Sequence, residues 1–156
     1  MKLSKAVIIF FLFYLLTLLQ MSFLIHHSWH NTGIHIVLLV FLLFLFNTKR
    51  DIKDGLILAI LAGFFIDVFS SYFFGLFILL FIILFFVVSY VKKRVSANNF
   101  SGYCLVSFSA LVIYYLLFFV VSYKFNLFNI LYNFLAGIVI YFISKMIYVL
   151  KQVFGK

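Results

Sequence analysis

Residues 55–91 carry a single charged side chain, Asp67, in a stretch nearly twice as long as the roughly 20 residues a helix needs to cross a hydrocarbon core. The stretch follows and precedes other runs of the same kind. Of the 156 residues 68% are hydrophobic and 10% are charged, where an ordinary soluble domain has about 25% charged residues. A soluble fold of this length would lack the polar surface to cover itself. That excludes a soluble enzyme, a disordered tail and a nucleic-acid-binding domain. The lone cysteine, Cys104, excludes an internal disulfide, a Cys-based zinc site and a CxxC redox motif. The chain reads as an all-α integral membrane protein.

Polar and charged breaks divide it into six predicted spans at about residues 6–25, 30–46, 55–70, 73–91, 101–121 and 127–144. The division between the third and fourth is set at Ser70-Ser71-Tyr72. The stretches Asn47 to Asp54 and Lys92 to Asn99 read as charged loops, and an amphipathic tail follows the sixth span. The first run exceeds a signal-peptide h-region and lacks a small-x-small cleavage site, so it reads as a retained span. Orientation comes from the cations, because translocated loops resist Lys and Arg. Lys2, Lys5, Lys49, Arg50, Lys53, Lys92, Lys93, Arg94, Lys145, Lys151 and Lys156 fall on one side of a six-span bundle, and only Lys124 falls on the other. Both termini are therefore expected to be cytoplasmic. The net charge of +9 reads as a topology signal and as contact with anionic lipid rather than with nucleic acid.

Few residues offer chemistry. Asp67 is the one carboxylate inside a span, and it is expected to face protein or water because a charge in lipid is costly. Its oxygens are expected to be satisfied from the Ser70–Ser71 turn or from span six. On that reading Asp67→Asn is tolerated and Asp67→Leu is not. Gly55, Ala59, Gly63 and Asp67 are each four apart, a small-residue stripe that lets a neighbouring backbone approach closely. In span six, Asn129, Asn133 and Gly137 share a face that should look into the bundle or toward another subunit. Span four, LFILLFIILFFVV, has lipid as an adequate neighbour. His26 and His30 stand i, i+4, with His27 and His35 beside them, but no acid or cysteine completes a metal set. No Ser-His-Asp arrangement, carboxylate pair or phosphate loop is present, so nothing points to catalysis, and no cofactor is expected.

The segment DGLILAILAGFFIDVFSSYFFGLFILLFIILFFVVSYVKKR resembles the rod shape-determining MreD family. The matching residues are Gly55, Gly63, Asp67 and Gly75, followed by a long apolar helix and a basic loop; Asn133 corresponds to a polar Asn in the last span. The resemblance implies a non-enzymatic subunit of the bacterial cell-elongation complex in the plasma membrane. Such a subunit binds MreC, and through it sits with MreB, RodA and a penicillin-binding transpeptidase, organising lateral peptidoglycan synthesis. The alternative is a small-molecule-binding transporter subunit similar to the substrate-binding component of energy-coupling vitamin transporters. That class needs a polar pocket, for which Asp67, Asn129, Asn133 and the histidines are the candidates. It also docks through a small-residue motif in span one, and AVIIFFLFYLLTLLQMSFLI has no such stripe.

Overall fold

The computed structural model describes residues 3–24, 35–47, 52–94, 100–122 and 127–154. Six α-helices account for nearly all of them: α1 (Leu3–Leu19), α2 (Ile36–Asn47), α3 (Ile52–Phe69), α4 (Leu76–Arg94), α5 (Phe100–Ser122) and α6 (Leu127–Phe154). A π-helical turn, Gln20–Leu24, extends α1. No strand occurs among the described residues. Three helices, α4, α5 and α6, are long and apolar enough to cross a membrane, which fits a membrane protein. His26, His27, His30, Lys124 and Asn126, along with the centres of both charged loops, lie outside the described residues.

Helix boundaries depart from hydropathy where polar residues are helical. Ile52, Lys53 and Asp54 form the first turn of α3 rather than a loop, with Asp54 at the end where the helix dipole favours an acid. Lys92, Lys93 and Arg94 form the last turn of α4, where the dipole favours cations. The tail expected after span six is continuous with α6. Helix α4 begins later than hydropathy places it, because Gly75 takes a positive φ of 101° and turns the chain just before Leu76.

Helix α4 packs against α2, α3 and α5, and Phe81 and Leu84 are fully buried. The Phe81 ring lies 4.8 Å from that of Phe41 on α2 and 6.4 Å from that of Tyr114 on α5, centroid to centroid. Span four thus has protein on several sides, where its composition alone was equally content with lipid. The outward faces belong chiefly to α1 and α6, where Ile8, Phe11, Leu15, Phe128, Leu135 and Val139 are exposed. An exposed apolar belt of this kind suits hydrocarbon, not water.

Candidate functional site

Hydrocarbon offers no partner to a free N–H, so every helix end placed there must be capped by protein. Helix α2 would raise this problem most sharply if it lay in a membrane. Its 12 residues span only about 18 Å at 1.5 Å per residue, well short of the about 30 Å of a bilayer core. Side chains from three other helices close its ends. At the start, the His35 N–H donates to Asn133 Oδ1 on α6 at 2.7 Å, and the Val37 N–H donates to Gln20 Oε1 at 3.1 Å. At the finish, Lys92 Nζ from α4 donates to the carbonyls of Leu45 at 2.9 Å and Phe46 at 2.6 Å. A cation is what the dipole favours at that terminus.

Asn133 is completely buried. Its Nδ2 donates to Tyr115 Oη on α5 at 2.8 Å and to the Asn129 carbonyl at 2.9 Å. One side chain therefore ties α2, α5 and α6 together. Asn129 enters through its backbone, one turn before Asn133. One turn beyond, the Gly137 carbonyl accepts from Tyr103 Oη at 3.0 Å. A Cβ on Gly137 would stand 3.3 Å from Leu39 Cδ2, so this glycine lets α6 lie close on α2. The polar face of span six looks into the bundle. Asn133→Leu is expected to leave the His35 N–H without its acceptor and to lower stability by about 1–3 kcal/mol. Asn133→Asp keeps the acceptor but sets a second oxygen against the Asn129 carbonyl, so in a thermal melt in detergent both variants should fall below the wild type.

The second cap is at α4. Asp67, 3% exposed near the end of α3, accepts from the Phe77 N–H at 2.9 Å through Oδ1 and from the Ile78 N–H at 3.0 Å through Oδ2. Its donors are thus the first-turn amides of the following helix, and neither the Ser70–Ser71 turn nor span six supplies them. Ser70 instead uses the backbone of Asp67: its N–H and its Oγ both donate to the Asp67 carbonyl at 3.3 Å. Donors on both carboxyl oxygens alter the outlook for Asp67→Asn, because an amide nitrogen would confront an N–H.

The stripe ahead of Asp67 serves the same contact. Gly55, Ala59 and Gly63 are buried, and the helix they meet is α4 of the same chain. A Cβ on Gly63 would lie 2.5 Å from Ile78 Cα, 2.7 Å from Ile78 N and 2.8 Å from the Phe77 carbonyl carbon. On Gly55 it would collide with the Phe85 ring. Gly75, by contrast, has open space around it and is needed for its φ alone.

Rings on α5 join the two caps. His35 lies 5.8 Å from Tyr114, Tyr114 stacks on Phe118 at 6.1 Å, and Phe118 lies 6.0 Å from Phe77. The capped starts of α2 and α4 therefore share one end of the bundle. The opposite end holds Lys92 and a second aromatic group, in which Tyr103 stacks on Tyr141 at 4.4 Å and meets Phe46 edge-on at 5.2 Å. Gln20, Tyr115, Tyr103 and the capping role of Lys92 escaped sequence reasoning. Gln20 had a legible signal as the one side-chain amide in span one, whereas Lys92 reads equally well as a topology charge. Among the described residues no three His, Cys, Asp or Glu side chains gather to hold a metal. What the arrangement does chemically is fix helix ends. No family model, curated protein or solved structure matches the chain.

Proposed function

We propose that this chain is a non-enzymatic membrane subunit of the bacterial cell-elongation machinery, resident in the plasma membrane, that binds MreC and helps to organise peptidoglycan synthesis. The observation that carries the reading is the α3–α4 hairpin. Each residue of the MreD-like pattern has its own physical task there: Gly55 and Gly63 admit α4, Asp67 caps it, and Gly75 turns the chain into it. A pattern in which every fixed position has a separate structural reason is harder to reach by compositional accident than one apolar run among many. The transporter alternative draws its pocket from Asp67, Asn129, Asn133 and the histidines. Of these, Asp67 and Asn133 use their polar atoms on helix ends and on Tyr115, which speaks for the scaffold. Deletion in a rod-shaped host is expected to give wide, rounded cells, and the tagged protein should co-purify an MreC with one span and a periplasmic coiled coil. Unchanged cell width would sink the proposal.

The same reading includes six spans with both termini cytoplasmic. Helices α1, α2 and α3 would then complete the bundle with α4, α5 and α6, and the basic end of α4 would face the cytoplasm, as the positive-inside rule requires. In intact cells a membrane-impermeant thiol reagent should leave Lys93→Cys unlabelled and reach it only after permeabilisation. Labelling from outside would invert the topology.

A further inference from the structure

Between the end of α2, the start of α3 and the end of α4 lies a cleft of about 530 Å³, within the range of about 300–1,000 Å³ typical of small-ligand sites. Leu45, Phe85, Phe86 and Val88 give it apolar walls, and Lys92 and Lys93 give it a cationic margin. We propose that this cleft binds one anionic phospholipid, with the headgroup phosphate at Lys92 and Lys93 and an acyl chain along Phe85, Phe86 and Val88.

Two features favour that occupant. The cleft combines a mainly apolar wall, interrupted by Ser89 and Tyr90, with paired cations at the charged end of the helices, the pattern by which basic pockets between membrane helices take anionic headgroups. Lys92 is also held in place: its bonds to the Leu45 and Phe46 carbonyls and its position 5.8 Å from the Phe46 ring centroid fix the ammonium at the wall. A fixed cation loses less freedom on binding a phosphate than a mobile one. Asp54, the acid in the first turn of α3, does not line the cleft. A soluble anion would gain nothing from the phenylalanines, and a neutral lipid would gain nothing from the lysines.

The test uses the purified full-length chain, delipidated in detergent and titrated with phosphatidylglycerol or phosphatidylcholine of identical acyl chains, read by native mass spectrometry. One phosphatidylglycerol per chain should be retained in preference to phosphatidylcholine. Lys93→Gln, which spares the α2 cap, should weaken that retention about fivefold. Lys145→Gln on α6, away from the cleft, should leave it unchanged. Ser89→Phe, which places a ring in the cleft, should abolish it while helix content by circular dichroism stays the same. Equal retention of the two lipids would overturn the proposal, as would equal losses for Lys93→Gln and Lys145→Gln. So would displacement of the lipid by millimolar inorganic phosphate, since the apolar wall would then have no part.

Discussion

Asp67→Leu is expected to prevent recovery of a monodisperse folded protein from detergent-solubilised membranes. The substitution leaves the buried Phe77 N–H and the part-buried Ile78 N–H without an acceptor. At about 1–3 kcal/mol for each unsatisfied group, the loss is about 2–6 kcal/mol, against a total stability of about 5–15 kcal/mol for a typical domain. Asp67→Asn should fall between Leu and the wild type. Its one oxygen can serve one of the two amides, and its nitrogen repels the other, for a loss of about 1–3 kcal/mol. Fluorescence-detected size-exclusion profiles after a temperature ramp give the ranking. A melting midpoint for Asp67→Asn equal to that of the wild type would mean that the two bonds at α4 do not support the fold.

Gly63→Leu should be as damaging, for a different reason that converges on the same atoms. Even the first added carbon meets backbone, at Ile78 Cα, Ile78 N and the Phe77 carbonyl carbon, and backbone cannot swing aside as a side chain can. Helix α4 must move away from α3, at a cost of about 1–3 kcal/mol for overpacking of the smallest kind, and much more for Leu. At Gly55 the obstacle is the Phe85 ring, which can rotate, so Gly55→Ala should lower the melting midpoint less than Gly63→Ala. Because Gly63 touches the two residues whose amides Asp67 receives, moving α4 also lengthens the capping bonds. The double variant Gly63→Ala with Asp67→Asn should therefore be less destabilised than the sum of the singles, with a coupling of about 0.5–3 kcal/mol. Additive losses would show that the close approach and the cap are independent devices.

Much of this protein is decided one residue at a time. Hydrophobicity and helical spacing are properties of single side chains and their near neighbours, so the apolar runs, the break after Phe69 and the stripe ending at Asp67 were open to reading without a fold. So was the need of Asn133 for a protein partner, within the bundle or on another subunit, since an amide in hydrocarbon must find one. Which partner it finds is a property of pairs distant in the chain, and the sequence carries no mark of it. The acceptor for the start of α2 comes from residue 133, and the cations for its end come from residue 92. Asp67 looked able to take donors from its own turn, yet the amides of α4 lie closer once Gly63 lets the two backbones meet. Span four illustrates the same limit from the apolar side. Leu and Phe are as well accommodated by lipid as by protein, so only the tertiary structure decides that α2, α3 and α5 pack on α4.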